Sequence, residues 1–233
     1  MEALVSRSAT KLPEILNKLE LRYGPRRDLS PKLPFDLAIW EIVAYLQPDD
    51  RRLRAFNALK QQTGLEPERI LETPIERLTE ITRIGGIFPE LRADRLHIAA
   101  ELVINEFGGD LSRVLKLPFA KARQELSKFP MIGKPGAEKI LLYTKTYPVL
   151  ALESNAVRTL QRIGYGTQTK ASYSVLYRSV QTAVEGELPK ECDPMIRAHI
   201  LLRVHGQETC RRNAPMCNVC PVQSACAYFF KLG

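Results

Sequence analysis

The sequence contains no uncharged apolar run long enough to span a bilayer. Its first 24 residues, MEALVSRSATKLPEILNKLELRYG, carry charges throughout and lack the apolar core of a secretory signal peptide. These two absences argue against a membrane-embedded or exported protein. We therefore expect an intracellular, soluble protein of the cytoplasm or nucleoid, with no membrane partner.

Cysteine is scarce and unevenly placed. Of the five cysteines in 233 residues, four crowd into residues 210–226 and Cys192 stands apart. This pattern is unlike the disulfide framework of a secreted domain. The sequence also has no low-complexity tract and no repeat of fixed period, which argues against a repeat architecture.

The sequence lacks the alternation of apolar and polar residues that would indicate strands, and its segments are separated by proline and glycine. Helical periodicity dominates instead, in FDLAIWEIVAYL, RLRAFNALKQQ, ADRLHIAAELVINEF, AEKILLYTKTY and YSVLYRSVQTAVEG. The stretch RYGPRRDLSPKLP predicts a loop before the main helical body begins at Phe35. The sequence therefore predicts an all-α fold.

Positive charge exceeds negative charge in the chain. The 34 Lys and Arg residues against 26 Asp and Glu give a formal net charge of +8 and a pI near 9.3. Such an excess favours a polyanionic partner, although a merely basic soluble protein can have the same composition. With 45% hydrophobic residues, the chain can bury a substantial core.

The crowded cysteines form the motif C-x6-C-x2-C-x5-C within HGQETCRRNAPMCNVCPVQSACAYF, and they are Cys210, Cys217, Cys220 and Cys226. Four thiolates so close together can enclose a cubane iron–sulfur cluster or a tetrahedral zinc ion. Zinc sites usually contain two C-x2-C pairs, whereas this segment has one such pair with a wider gap on each side. The spacing therefore favours iron–sulfur over zinc, and unligated cysteines are the remaining alternative.

This motif and the preceding His205-Gly206 resemble the C-terminal iron–sulfur loop of the endonuclease III and adenine-glycosylase branch of the helix-hairpin-helix (HhH-GPD) DNA glycosylases. The resemblance covers about residues 30 to 228. It implies a structural [4Fe-4S] cluster that places a basic loop against DNA. Arg211 and Arg212 would supply that loop, and the alternative for these two residues is a solvated surface pair.

The same resemblance implies two helical domains with a DNA-binding cleft between them. A six-helix barrel domain is expected at 32–147, with a helix-hairpin-helix at about 126–145. A second helical domain, built from 1–31 and 148–233, would carry the cluster. The expected partner is double-stranded DNA with a damaged or mispaired base, bound by a monomeric protein.

The stretch FPMIGKPGAEKI predicts a glycine turn between two helices, which can present backbone N–H groups to one phosphate. It is similar to the family's hairpin, so that Gly133, Lys134 and Gly136 would hold a DNA phosphate; a generic helix–turn–helix connection is the alternative. In members that also cut the strand, a lysine nucleophile lies two residues after this glycine, where this chain has Pro135. Proline has no amine to form a Schiff base, but it is tolerated in the first turn of a helix.

Two lysines lie near this position. Lys134 points about 100° away around the helix, and Lys139 lies about one turn, roughly 6 Å, further along. We expect both to contact phosphate, with a role as replacement nucleophile as the alternative.

Cleavage of a base from its sugar builds positive charge on the sugar, so that a nearby carboxylate helps electrostatically. In LALESNAVRTLQRIG, Glu153 occupies the place of the family's essential aspartate. The resemblance implies the same role, although the extra methylene can shift the carboxylate by about an ångström. The alternative is a helix-entry charge with Ser154 as the cap.

A second candidate carboxylate is Glu41, a lone charge among apolar neighbours in PFDLAIWEIVAYLQ. It stands seven residues after Pro34, where the adenine-removing branch carries its acid. Burial would favour its protonated form and suit it to protonating a purine. Alternatively, Trp40 and Glu41 face solvent at the helix edge.

Enzymes that act on a duplex base flip it out and fill the gap with apolar or amide side chains. The stretch RIGGIFPELRADRL resembles the family's wedge loop, which makes Ile87 the candidate wedge. Gln47 is the candidate for the other strand, although its spacing from Pro34 is one residue longer than the family's, so that Leu46 could hold that place. Core packing is the alternative for both assignments.

Together these residues indicate a DNA base-excision repair protein that hydrolyses the N-glycosidic bond without cutting the strand through a lysine. One alternative is a catalytically degenerate protein that binds DNA damage. A second alternative is a glycosylase and abasic-site lyase that uses a displaced lysine.

Overall fold

The structure is a computed structural model that describes residues 11–26, 28–44 and 47–231; Leu46 lies outside this part of the chain. The described residues form helices and no strand, which confirms the all-α prediction. The α-helices are, in chain order, α1 (Leu12–Tyr23), α2 (Pro34–Val43), α3 (Asp49–Thr63), α4 (Pro67–Glu72), α5 (Ile75–Ile84), α6 (Pro89–Phe107), α7 (Phe119–Leu126), α8 (Lys134–Tyr143), α9 (Ser154–Ile163), α10 (Tyr173–Ala183), α11 (Cys192–Glu208) and α12 (Ala227–Phe230). Short 3-10 helices lie at Leu111–Lys116, Cys217–Val219 and Gln223–Ala225.

The chain divides into two compact units. Residues 28–149 form what we call the central unit, which contains α2 to α8. The terminal unit joins the start of the chain to residues 150–233 and contains α1 and α9 to α12.

Helix α2 forms much of the core of the central unit. It begins with Pro34 in its first turn, where the missing N–H costs nothing, and its apolar side chains are buried on more than one face. Leu37, Ile39 and Ile42 are each at most 1% exposed. The apolar run that the sequence shows here is therefore a buried helix, with Asp36 in its first turn and Glu41 further along it.

Turn residues end the helices of the central unit. Helix α3 ends before Gly64, which adopts the left-handed conformation at φ = +65° and donates its N–H to the carbonyl of Lys60. The helix predicted over AEKILLYTKTY ends early, at Tyr143, because Lys145 turns the backbone with φ = +56°.

In the terminal unit, α11 is the most deeply buried helix. Leu201 and Leu202 are at most 2% exposed, and α11 packs against α9, in which Val157 and Leu160 are equally buried. Gly206 permits this packing, since a Cβ atom there would lie 2.6 Å from the Cβ of Asn155. The helix pair α9–α11 is therefore fixed by close backbone approach.

Among the described residues, no helix is both long enough and apolar enough to cross a membrane.

A buried ion pair joins α7 to α8. Nη1 of Arg123 lies 2.9 Å from Oε1 of Glu138, whose side chain is 2% exposed. We predict that Glu138→Ala lowers the free energy of unfolding by about 2 kcal/mol, because Arg123 loses a desolvated partner. Urea denaturation followed by circular dichroism measures the change.

Glu80→Ala is the matched control, because its carboxylate pairs with Arg77 at the surface, with 60% of the Glu80 side chain exposed. Exposed pairs contribute little to stability. Equal destabilisation by the two substitutions would show that the buried pair does not secure the α7–α8 hairpin.

Candidate functional site

The predicted phosphate-binding turn lies in the central unit, between α7 and α8. Gly133 is the N-cap residue of α8, and Met131 adopts a left-handed conformation at φ = +65°. Phe129 and Ile132 anchor the turn, each with 2% of its surface exposed. Gly133 and Lys134 are exposed, so that the turn presents the N-terminus of α8 at the surface.

Pro135 fits the first turn of α8. The first N–H groups of an α-helix have no partner within the helix, so proline there breaks no helical hydrogen bond. Backbone N–H donors remain on either side of it, at Lys134 and Gly136. A Cβ atom on Gly136 would lie 3.3 Å from Cγ2 of Ile132, and glycine thus lets the helix pack closely on the turn.

Glu41 has charged neighbours, in contrast to the apolar surroundings expected from the sequence. Its Oε1 lies 2.6 Å from Nζ of Lys139 on α8 and 3.4 Å from Nη1 of Arg52 on α3. The three side chains are largely buried, between 11% and 14% exposed. Two cationic side chains from two other helices therefore contact one oxygen of this carboxylate.

Trp40 does not face solvent, which removes that alternative for this part of α2. The ring is 2% exposed and packs edge-on against Phe56, with 5.3 Å between the ring centroids. The guanidinium of Arg52 lies 5.5 Å from the Trp40 centroid. The aromatic pair therefore holds α3 against α2 and keeps Arg52 beside Glu41.

Lys139 points toward Glu41, and its contact with a phosphate stays a prediction. Its Nζ also lies 5.5 Å from the ring centroid of Tyr143, which is 3% exposed. The ammonium thus forms an ion pair with a carboxylate of another helix of the same unit, at 2.6 Å. Lys134, at the exposed start of α8, keeps the phosphate assignment as a prediction.

The loop between α5 and α6 carries two exposed apolar side chains. Ile87 is 68% exposed and Phe88 is 66% exposed. Phe88 has a left-handed backbone at φ = +57°, which is uncommon for a bulky residue and is a form of local strain. Sequence reasoning selected Ile87 and missed Phe88; the available signal was a second large apolar residue directly before Pro89.

Two glycines bring this loop against the segment that follows α2. A Cβ atom on Gly85 would lie 1.9 Å from the carbonyl oxygen of Val43, and one on Gly86 would lie 2.7 Å from Nε2 of Gln47. Gly86 also has φ = +107°. The glycines therefore place Gln47 next to the loop that carries Ile87, which brings the two predicted wedge residues close together.

The side chain of Arg92 holds the same loop by hydrogen bonds to backbone carbonyls. The residue is 6% exposed; its Nε donates to the carbonyl of Ile87 at 2.9 Å and its Nη1 donates to the carbonyl of Ile42 at 3.3 Å. The hydroxyl of Thr82 donates to the carbonyl of Pro89 at 2.8 Å. These bonds hold the loop backbone while the apolar side chains remain exposed.

In the terminal unit, Glu153 is the N-cap residue of α9. Its Oε1 accepts the backbone N–H of Ala156 at 3.1 Å, and its Oε2 accepts Nδ2 of Asn155 at 2.9 Å. Ser154, the alternative cap, is instead the first residue of the helix. Burial raises the pKa of the Glu153 carboxyl, and the bonds from Asn155 and Ala156 partly offset this rise.

A hydrogen-bonded chain connects Glu153 to the cysteine segment. Asn155 accepts at Oδ1 from Nη2 of Arg158 at 2.7 Å. The same Nη2 donates to the carbonyl of Gly206 at 2.7 Å, and Nε of Arg158 donates to the carbonyl of Cys210 at 3.1 Å. The orientation of Asn155, and through it that of Glu153, is thus tied to the backbone of the first cysteine.

The four cysteines of the motif line one cavity in the terminal unit and form no disulfide. Burial raises the pKa of the Cys220 thiol to about 11, and the three neighbouring cysteines add to the rise. Such thiols cannot all ionise side by side without positive charge at their centre, so the donor set fits a metal group with thiolate ligands. Within the described residues, no three His, Cys, Asp or Glu side chains are arranged to hold a single metal ion.

Two further side chains contact the cysteine sulfurs. Nη1 of Arg162 lies 3.4 Å from Sγ of Cys210, and Nε2 of His205 lies 3.7 Å from Sγ of Cys220. Nδ1 of His205 lies 2.7 Å from the hydroxyl of Tyr23 on α1. Burial lowers the pKa of His205 to about 4, so that its neutral ring has one N–H to share between these partners.

The same Arg162 shapes the predicted basic loop. It donates to the carbonyls of Arg211 at 2.7 Å and Arg212 at 3.0 Å, and its guanidinium lies 4.8 Å from the ring centroid of Tyr228. Both Arg211 and Arg212 are exposed. The loop backbone is therefore held while its two arginines remain at the surface.

No protein-family model matches the chain. Among curated proteins, the chain is 28% identical over 175 residues to a protein of Methanocaldococcus jannaschii that bears the name of a DNA repair glycosylase, covering 74% of this chain and 76% of the relative. It is 24% identical over 211 residues to endonuclease III of Rickettsia conorii, covering 90% and 91% of the two chains.

Solved structures show the same fold. A trapped covalent intermediate of endonuclease III with DNA matches with a TM-score of 0.75 at 20% identity, over 95% of this chain and 96% of that one. A thermostable thymine-DNA glycosylase matches with a TM-score of 0.74 at 20% identity, over 94% and 95% of the chains. Similarity in sequence and in fold thus agrees with the resemblance drawn from the motifs.

Proposed function

We propose that this chain, a member of the endonuclease III superfamily of helix-hairpin-helix DNA glycosylases, removes a damaged or mispaired base from double-stranded DNA by hydrolysis. The observation that carries the proposal is a partly buried, oriented carboxylate, Glu153, in a chain that has Pro135 in place of the family's nucleophilic amine. A carboxylate in a chain that lacks this amine supports hydrolysis with water as the nucleophile.

Glu153 has two tasks in this mechanism. Its negative charge stabilises the positive charge that develops on the sugar as the bond to the base breaks, and its oxygen accepts a proton from the attacking water. The N–H of Ala156 and the amide of Asn155 orient the carboxylate beforehand, so that little reorganisation is needed at the moment of reaction. Its burial strengthens the electrostatic effect.

The hairpin turn binds the DNA backbone. Backbone N–H groups at Gly133, Lys134 and Gly136 and the positive end of α8 suit one phosphate. The exposed charge of Lys134 adds to this attraction. These contacts position the duplex without reading its sequence.

The loop after α5 opens the duplex. Ile87 and Phe88 expose apolar surface that can enter the space left by the flipped base, and Gln47 beside them can contact the opposite strand. Arg92 holds the loop backbone during this step. Phe88 thus joins Ile87 as a wedge residue.

Cys210, Cys217, Cys220 and Cys226 would hold a [4Fe-4S] cluster, whose chemistry here is structural: it crosslinks the segment that carries Arg211 and Arg212. Both arginines then add charge against the DNA backbone. Arg162 donates toward the sulfur of Cys210, His205 contacts the sulfur of Cys220, and both support the ligands.

The decisive experiment measures single-turnover base release on duplexes with deaminated, oxidised, alkylated and mispaired bases, read after hot alkali. We predict release by the wild type and a loss of about 100- to 1,000-fold in Glu153→Gln, because the neutral amide cannot stabilise the sugar cation. DNA affinity is expected to be unchanged. Glu185→Gln, at an exposed site of the same unit, is the matched control.

Two outcomes would contradict this assignment. Unchanged excision by Glu153→Gln would remove the residue from the mechanism. Tight lesion-dependent binding by the wild type, with no base released from any duplex, would favour the degenerate binding protein.

Metal analysis tests the cluster. We predict about four iron atoms per chain, with brown colour and broad absorbance near 400 nm, and loss of both in Cys217→Ser, because serine removes one thiolate ligand. Cys192→Ser, outside the motif, is the control and should retain the iron. Stoichiometric zinc without iron would overturn the proposed cofactor.

Pro135→Lys tests the role of the proline. The substitution restores an amine at the first turn of α8, so we predict a covalent adduct with abasic DNA that borohydride traps, whereas the wild type gives none. Pro135→Gln controls for loss of the ring without gain of an amine. An equally strong adduct in the wild type would show that another lysine is the nucleophile and that the enzyme is a lyase.

A further inference from the structure

The ion pair between Glu41 and Lys139 leaves open which group activates the departing base. The carboxylate of Glu41 accepts hydrogen bonds at Oε1 from both Lys139 and Arg52. The ammonium of Lys139 carries three N–H donors, of which Glu41 takes one. In this cluster the hydrogen-bond donor toward a substrate is therefore the lysine, and the glutamate is its orienting partner.

The position of Lys139 on α8 agrees with such a role. It follows Pro135 by four residues, so the two lie on one face of the helix, one turn apart. Its Nζ is confined between the carboxylate of Glu41 and the ring of Tyr143, and its side chain is 14% exposed. A mostly desolvated ammonium with a fixed direction is a stronger hydrogen-bond donor than a solvated one.

We propose that Lys139, in place of Glu41, activates the leaving base by donating a hydrogen bond to a carbonyl oxygen next to the glycosidic nitrogen. This inference rests on the proposed glycosylase function. As the bond between C1′ of the sugar and the base nitrogen breaks, its electron pair moves to the base and is shared with that oxygen. Water forms the new bond to C1′ and releases a proton, and the base anion takes up a proton from solvent.

The chemistry of the donor selects the class of base. An ammonium is a far weaker acid than a carboxylic acid, about pKa 10.4 against 4.3 in model compounds, so it is poorly matched to protonating a neutral purine ring nitrogen. It is well matched to stabilising negative charge on a carbonyl oxygen. Uracil and thymine carry such an oxygen at C2 and 8-oxoguanine carries one at C8, whereas adenine has none.

The test uses the acidity of the leaving base. Single-turnover release is measured from duplexes with 5-fluorouracil, uracil or thymine opposite guanine, a series in which the base becomes a poorer leaving anion, and from duplexes with 8-oxoguanine or mispaired adenine. Lys139→Gln is expected to slow thymine release by about 100-fold and 5-fluorouracil release much less, because a good leaving group needs less help. Lys139→Arg should recover part of the loss through its N–H donors.

Glu41→Gln is expected to show the same dependence on the leaving base, since it frees Lys139 from its orienting partner. Lys116→Gln removes one exposed positive charge from the same unit and is the control for a general loss of DNA affinity. Melting temperature and DNA affinity are measured for every variant.

The outcomes separate this inference from the function on which it rests. An active wild type with a Lys139→Gln loss that is equal for all bases would mean a structural role and overturn the inference alone. Adenine release that depends on Glu41 and not on Lys139 would return the acid role to Glu41. A borohydride-trapped adduct that disappears in Lys139→Gln would make Lys139 a nucleophile. A wild type that releases no base would overturn both proposals.

Discussion

The close approach of α9 and α11 is the constraint on which the terminal unit depends. Gly206 allows it, because any side chain there would overlap Asn155. At this contact Arg158 reaches the carbonyls of Gly206 and Cys210 and still holds the side chain of Asn155. The carboxylate of Glu153 and the backbone of the cysteine segment are consequently set by one guanidinium. A metal group bound by those cysteines would stabilise the arrangement that orients the carboxylate.

In the central unit, a carboxylate lies within an apolar helix. A carboxylate buried in a helix as apolar as α2 is costly unless it is paired. Arg52 and Lys139 come from two other helices, α3 and α8, and both reach the same oxygen of Glu41. The helix that has Pro135 in its first turn thus supplies a lysine one turn later, and that lysine forms an ion pair with Glu41. Loss of an amine at one position and confinement of an amine at another both agree with the proposed hydrolysis by water.

The loop after α5 combines strain with support. Phe88 is held in a left-handed conformation and exposes a large ring. Both features cost free energy as long as no binding partner covers the ring. Arg92 and Thr82 bind the loop backbone at its start and end, and Gly85 and Gly86 allow it to lie against the segment after α2. Strain that is maintained by so many bonds is typical of functional loops.

The sequence by itself determined the helical class, the cysteine motif, the hairpin turn and the identity of the two residues on which the proposed chemistry depends, Pro135 and Glu153. These features are local: periodicity, spacing and turn residues report on neighbours along the chain. The tertiary structure decided what the long side chains contact. Lys139 and Glu41 are 98 residues apart in sequence, so no local pattern could show that each neutralises the other. The exposure of Phe88 and the link from Glu153 to Cys210 likewise depend on helices that meet only in the folded chain, because burial and pairing are set by packing partners distant in sequence.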